Sequence, residues 1–270
     1  MAQTKLEEIV SLDLVGQMQN MQTTEKIRKL AETETDIKSV YNSINDDKKK
    51  RRALILIDEQ NDFISPQGAL SVTGAVEDTK KLIKHIYDNI DEYTEVFLTL
   101  DTHETHSIFH PIAWGVGKGG TTEAPPFTEV TAEKVQNGEI IPRLNPAKQI
   151  DYVKALEENS KKKLIIWPYH CIVGTVGHAI ENQLMHVLTF FELTRKSNIH
   201  KIVKGSSRYT EHYGAIRAEV DPTGTSLCDA WLKNFGRFES IDITGQAKDY
   251  CLFETVKQIC EYFEGQDDIL

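Results

Sequence analysis

Residues 243–251 read Ile-Thr-Gly-Gln-Ala-Lys-Asp-Tyr-Cys, and the apolar residues that follow, Leu252, Phe253, Val256, Ile259 and Phe263, recur at helical spacing. The stretch reads as the end of a buried strand, a tight turn at Gly245, and a helix whose first residues carry Cys251. Backbone N–H groups at a helix start lack internal partners, and the helix dipole favours negative charge there. A cysteine at that address therefore ionises more readily than one in solution. The same N–H groups can hold the oxyanion of an attacked carbonyl. The plainer reading of a lone cysteine is a small buried apolar residue, so the choice between the two depends on what else the chain brings to the site.

Working outward, short apolar runs alternate with amphipathic segments. ALILID (53–58), EVFLTLD (95–101), KLIIWP (163–168), HKIVKG (200–205) and SIDITG (240–245) read as five strands. Between them, residues 76–90 place Leu82, Ile83, Ile86 and Ile90 on one helical face; a second helix is expected from about Thr175 through Leu188, with further helix over 213–220 and 226–235. Strands separated by helices predict an α/β three-layer sandwich: a mainly parallel central sheet with right-handed crossovers and helices on both faces. Ligands of such sheets bind at the carboxyl ends of the strands.

The polar residues at those ends fall into two groups. Asp58, Lys204 and Cys251 supply a carboxylate that can take a proton, an ammonium that favours thiolate over thiol, and a thiol nucleophile. Taken singly, Asp58 reads equally as a helix cap and Lys204 as a surface lysine. Asp101, His103, His106 and His170 supply imidazole and carboxylate donors that suit zinc, iron or manganese. Asp-x-His at a strand end often has no metal role, but the histidine at the end of a further strand favours a ligand set. His85, His178, His186, His200 and His212 fall on predicted helices or surface turns, where a solvated or hydrogen-bonded imidazole is expected.

Composition bounds the setting. The chain has 270 residues, 40% of them hydrophobic, and a net charge of −10, which argues against nucleic acid or an anionic membrane as the main partner. Its N-terminal residues lack the apolar core of a signal peptide, and no run approaches a membrane span of ~20 residues. Four cysteines, at 171, 228, 251 and 260, sit in a chain too large to need disulfides, which predicts a soluble, cytoplasmic protein with free thiols. Cys228 and Cys260 are taken as packing residues. The chain divides near residue 52. Residues 1–52 are charged and predict a solvated helical appendage, with Leu6, Ile9, Val10, Leu12, Leu14 and Val15 on one short helix and Ile27, Leu30 and Ile37 on another. Residues 53–270 form the main domain, interrupted by an insert at about 114–163 whose GVGKGG and EAPPF runs predict a loop. The first run is no phosphate-binding loop, because no Ser or Thr follows Lys118.

Five segments, DEQNDFI (58–64), LDTHETHSIF (100–109), WPYHCIVGT (167–175), VKG (203–205) and GQAKDYCLFET (245–255), resemble in order the signatures of the isochorismatase-like cysteine hydrolases, and most closely the nicotinamidases. The resemblance spans roughly 53–265. It implies Cys251 as nucleophile, Asp58 as general base and then acid, and Lys204 as the charge that lowers the thiol pKa. It implies a cis peptide at Gln246-Ala247, with the N–H groups of Ala247 and Cys251 as oxyanion hole. It further implies one divalent metal ion, zinc first with iron or manganese as alternatives, on Asp101, His103 and His170 with His106 in fourth place. The His103-to-His106 spacing is one residue shorter than the family's usual form, so His110 or a water is the alternative fourth ligand. Phe63, Trp167, Gln246 and Tyr250 would surround the substrate ring. The implied activity is hydrolysis of nicotinamide to nicotinate and ammonia, in NAD salvage, by a homo-oligomer with a small-molecule substrate. Hydrolysis of another small amide or ureido compound, or a non-catalytic scaffold, are the rival readings.

Overall fold

The computed structural model describes residues 5–18, 24–34, 36–40, 51–160, 162–221 and 229–264. Two helices, α1 (Leu6–Ile9) and α2 (Thr24–Thr33), precede β1 (Arg52–Ile57), a short α3 (Asn61–Ile64), α4 (Ala75–Asp88) and β2 (Glu95–Asp101). A middle region follows, with β3 (Trp114–Val116), β4 (Thr122–Glu123), β5 (Glu129–Val130), α5 (Ala132–Gln136), β6 (Ile140–Pro142), α6 (Pro146–Ser160) and β7 (Leu164–Ile165). The chain ends with α7 (Asn182–Arg195), β8 (His200–Lys204), α8 (Asp229–Phe235), β9 (Ser240–Gly245), one wide turn at Lys248–Leu252, and α9 (Phe253–Glu264).

Four strands form the central sheet in the order β8-β2-β1-β9, all parallel. Parallel sheets covered on both faces read as continuous apolar runs, and β1 obeys this: Ala53 through Ile57 are all buried. Alternation sends Leu54, Leu56, Val96 and Leu98 towards α4 and α7, where Leu82, Ile83, Ile86, Leu184, Val187 and Phe191 complete one core. Ala53, Ile55, Ile57 and Phe97 go to the opposite face, against Phe235 and Ile259 of α8 and α9. The α/β sandwich with a mainly parallel sheet is therefore as expected, and the carboxyl ends of β1, β2, β8 and β9 lie together.

The KLIIWP segment is a correction. Only Leu164 and Ile165 are extended, and they pair antiparallel with Val130 and Glu129 rather than joining the central sheet. The apolar run is the same in both settings, and the middle region supplies a partner that sequence periodicity does not show. Beyond it the chain returns to the rim of β2, where His103 N donates to Cys171 O at 3.0 Å and Val173 N to His103 O at 3.1 Å. The expected insert loop is also corrected. β3 pairs antiparallel with β4 and β6, and Trp114, Val130, Ile140, Tyr152, Val153 and Leu156 form a separate core. Gly115 serves tight packing, since a Cβ there would stand 2.2 Å from the carbonyl oxygen of Gly120.

Further differences concern boundaries and exposure. The helix expected from Thr175 begins at Asn182, where the Glu181 side chain accepts from Leu184 N at 2.7 Å and caps it. Residues 213–220 are not helical; the segment lies along α9, with Ala215 N on Thr255 Oγ1 and Ile216 N on Gln258 Oε1, both at 3.1 Å. Cys260 is exposed, and Cys228 lies outside the described residues. So does most of the basic run before β1.

The described residues of the N-terminal segment include two helices, and their apolar side chains are not solvated. Ile9, Val10, Val15 and Ile27 are buried in the same core as α4 and α7. Gly16 N donates to Glu181 Oε1 at 3.2 Å, and Ser11 N to Gln183 Oε1 at 2.8 Å, tying the segment to the start of α7. Ile27→Ala is expected to cost about 2–4 kcal/mol in urea unfolding, the usual loss for a fully buried isoleucine. On a solvated appendage the same change would register under about 0.5 kcal/mol.

Candidate active site

Strand register builds the site. β2 and β8 pair so that Asp101 stands opposite Lys204, each the last residue of its strand. β1 and β9 pair Ile57 with Gly245, which places Asp58 and the Gly245–Cys251 turn side by side. Lys204 Nζ lies 2.8 Å from Asp58 Oδ2, 2.8 Å from Asp101 Oδ1 and 3.6 Å from Cys251 Sγ. It also donates to His212 O at 3.1 Å. All four side chains are buried. Thr99 Oγ1 accepts from Asp58 N at 3.0 Å and donates to Asp58 Oδ1 at 2.6 Å, which fixes the carboxylate although Asp58 has a left-handed φ of 51°.

Asp101 is shared with a second cluster. Its Oδ2 lies 3.2 Å from His103 Nε2 and 3.8 Å from His170 Nε2, and one ligand atom from each of the three residues lies within 4.8 Å of the other two. His103 Nδ1 donates to Gly205 O at 3.0 Å and His170 Nδ1 to Pro168 O at 2.8 Å. Those carbonyls leave each Nε2 pointing inward, the arrangement by which proteins orient metal-binding imidazoles. Gly205 must be glycine for this, since a Cβ there would stand 2.4 Å from His103 Cε1. His110 completes the wall: its ring lies 5.9 Å from that of His103 and 6.0 Å from that of His170, its Nδ1 bonds to Thr105 O, and its buried Nε2 has no hydrogen-bond partner among the described residues. His106, expected in fourth place, is exposed and bonds to Thr105 Oγ1 instead. His110, not His106, is the buried imidazole beside His103 and His170.

Both clusters open into one cavity of about 340 Å³, walled by Phe63, Trp167, Tyr250 and the turn. Phe63 meets His170 edge-on at 5.6 Å, and Trp167 meets Tyr250 edge-on at 5.3 Å. Gln246 lines the cavity with its amide nitrogen bonded to Glu59. The turn contains no cis peptide; it is made with Ala247 in the left-handed region, φ 52°, so a steeply curved trans backbone replaces the expected cis bond.

The charges set the resting state. Burial pushes the Cys251 thiol well above its ordinary range, and the Lys204 charge opposes this without reversing it. The aid to ionisation expected from the helix start and Lys204 is thus outweighed by burial, and the thiol lies beside the Asp58 carboxylate. Burial also raises Asp58, against the pull of Lys204, which makes it a better proton acceptor. Lys204 stays charged because Asp101 and Asp58 more than offset its burial.

No protein-family model matches the chain. A curated relative, the nicotinamidase of Saccharomyces cerevisiae, is 23% identical over 78% of this chain and 82% of its own length. The crystal structure of the yeast nicotinamidase bound to the inhibitor nicotinaldehyde superposes with a TM-score of 0.55 at 22% identity, covering 78% of this chain and 82% of that one. An Acinetobacter baumanii nicotinamidase/pyrazinamidase gives 0.52 at 21%, covering 80% of each. The chain has the nicotinamidase fold. The five motifs that resemble the isochorismatase-like hydrolases all lie on the rim where that fold gathers its strand ends.

Within the nicotinamidase fold, Asp58, Asp101, His103, His170, Lys204 and Cys251 converge. Three neighbours escaped the sequence reading. Thr99 was visible as a lone polar residue inside the buried run EVFLTLD. Gln60, which donates to Asp101 O at 2.8 Å and accepts from Asp101 N at 2.7 Å, lies in the DEQNDFI motif. Glu211 is buried in the cavity wall with an unpartnered Oε2, its carboxyl pushed up to about 7 by burial, and nothing in its local sequence marks it.

Proposed function

We propose that this protein hydrolyses nicotinamide to nicotinate and ammonia through a thioester on Cys251. The observation that carries this reading is the sharing of Asp101: one carboxylate holds Lys204 beside the thiol and also faces the His103/His170 pair, so bond cleavage and ring binding fall in one cavity. The similarity to the yeast nicotinamidase supports the same choice of substrate.

Asp58 takes the Cys251 proton as sulfur attacks the carboxamide carbon. The carbonyl electron pair moves to oxygen, where the N–H groups of Ala247 and Cys251 stabilise it. When the C=O bond reforms the C–N bond breaks, and Asp58 returns the proton to the departing ammonia. A water then adds to the thioester carbon, giving its proton to Asp58; the C–S bond breaks, nicotinate leaves, and Cys251 is reprotonated. Lys204 holds Asp58 and the sulfur in register throughout.

The donor set of one carboxylate oxygen and two inward Nε2 atoms fits a divalent ion, with zinc the best match to mixed imidazole and carboxylate ligands. Held there, such an ion would take the pyridine nitrogen as a further ligand and thereby orient the carboxamide towards Sγ. Phe63 and Trp167 would flank the ring. The orphaned Nε2 of His110 fits the fourth protein position, which gives a direct test. His110→Ala is expected to weaken metal affinity about 10- to 100-fold, and His106→Ala to leave it unchanged, as read by chelator competition.

Free Cys171, Cys251 and Cys260 agree with a reducing, cytoplasmic setting, since Cys251 must remain a thiol. Ammonia release from nicotinamide by the metal-replete protein tests the whole reading; its absence rejects nicotinamide as substrate.

A further inference from the structure

One carboxylate beside the site has no part in the chemistry above. Glu59 follows Asp58 directly, is 1% exposed, and its Oε2 accepts from Gln246 Nε2 at 3.0 Å and from Thr79 Oγ1 at 3.5 Å. Its backbone is held as well, with Glu181 N donating to Glu59 O at 2.9 Å. Its surroundings are hostile to charge: burial, opposed by the Gln246 amide and reinforced by Asp58 and Glu181, pushes its carboxyl up to about 7. An apolar side chain would fill the same space without the desolvation penalty. Residues that break a local rule in a buried position usually serve a site rather than the fold, so what Glu59 bonds to indicates its use.

That partner sits at the start of the curved turn. Gln246 N donates to Ile57 O at 2.9 Å, which ties the end of β9 to the end of β1 through the backbone. The Glu59–Gln246 bond adds a side-chain tie one step further along, next to Ala247 with its left-handed φ of 52°. Without an acceptor at Glu59, the Gln246 amide is free to swing into the cavity it lines, and the Ala247 peptide loses its nearest side-chain brace.

We propose that Glu59 is a positioning residue for the Gly245–Cys251 turn, acting through the side chain of Gln246. The proposal rests on the hydrolase reading of that turn. It couples the strand that carries the base Asp58 to the turn that carries the thiol, so that a shift of one is felt by the other.

The test compares Glu59→Leu, Glu59→Gln, Gln246→Leu and the Glu59→Leu/Gln246→Leu double variant in the full, metal-replete chain. Two readouts are taken: kcat and KM for nicotinamide, and hydrogen exchange of the peptide covering residues 244–252 without substrate. Glu59→Leu is expected to lower kcat at least about tenfold, with KM changing by a smaller factor because Phe63, Trp167 and Tyr250 stay in place around the cavity. Its turn amides should exchange faster. Glu59→Gln should stay within about threefold of wild type, because the amide oxygen still accepts from Gln246. Gln246→Leu should match Glu59→Leu in kcat and in exchange, with its KM free to rise because Gln246 itself lines the cavity, and the double variant should lose no more than about threefold in kcat beyond either single change, as residues acting through one bond do not add.

Multiplicative losses in the double variant, or a Glu59→Gln variant as impaired as Glu59→Leu, would overturn the proposal. If Glu59→Leu fails to fold, Gln246→Leu decides: unchanged kcat and unchanged exchange overturn it. Should wild type release no ammonia, the reading of the function fails, while the exchange comparison still decides whether Glu59 holds the turn.

Discussion

Cys251→Ala is expected to lower nicotinamide turnover by at least about 10⁴-fold, because it removes the atom on which the acyl group would be carried and leaves only binding and oxyanion stabilisation. The fold should be unaffected. Cys251 is small, and its loss leaves Lys204 still held between Asp58 and Asp101 at 2.8 Å each. The variant therefore separates chemistry from structure: ammonia release collapses while the melting temperature and metal content stay near wild type. Asp58→Asn should be nearly as damaging. Burial holds the Cys251 thiol in its protonated form, so the sulfur attacks only if a base removes the proton, and Asp58 is the raised carboxylate placed to do so. Since base and nucleophile act in one step, the double variant should be no worse than the poorer single one by more than a few-fold. Retention of more than about 1% of wild-type turnover by Cys251→Ala would remove the thioester route, because no second nucleophile of that strength is expected to substitute.

What made this site legible was the coupling of strand period to strand ends. Asp58, Asp101 and Lys204 each close an apolar run, and a parallel sheet brings such ends together whatever the crossovers do. His170 reaches the same rim although its expected strand does not join the sheet: Leu164 and Ile165 pair with the middle region, yet the chain still returns to His103. Two of the differences depended on partners remote in sequence. Ile9, Val10 and Ile27 looked like one face of a solvated helix because the surface they bury against belongs to α4 and α7, far along the chain. The Gly- and Pro-rich insert looked like a loop, although Gly115 and Gly120 permit a close approach within folded structure. His106 and His110 could not be told apart, because which imidazole turns inward depends on how residues 104–110 coil, and that is fixed by bonds such as Ser107 Oγ to Glu104 O and His110 N to Ser107 O. At Cys251 desolvation outweighs the pull of Lys204, a balance that depends on burial and so is not visible in the local sequence.

Lys204→Met should produce the second largest effect, and unlike the loss of Cys251 it should strike stability and activity together. Among the described residues the ammonium is the cation between Asp58 and Asp101, and removing it leaves buried Asp58 without its counter-charge and Asp101 with the His103 contact alone. Breaking a buried pair in this way typically costs about 3–5 kcal/mol, and turnover should fall about 10³-fold as the base and sulfur lose their common anchor. The direction of the pH response identifies the cause. In wild type, burial raises Asp58 and Lys204 draws it down; for Asp101, burial is outweighed by His103 and then Lys204, which hold it well below the ordinary carboxylate range. Without Lys204 both folded-state values rise relative to wild type. A carboxyl whose folded pKa lies above its unfolded value of about 4 binds more protons when folded, so the variant loses stability as pH rises through that window and regains it on acidification. Urea unfolding at pH 5 and pH 8 should therefore show a smaller deficit, relative to wild type, at the lower pH. A deficit that is the same at both would mean that methionine merely packs badly. In that case Lys204 would be a space-filling residue, and the charge arrangement that holds Asp58 against Cys251 would lose its physical basis.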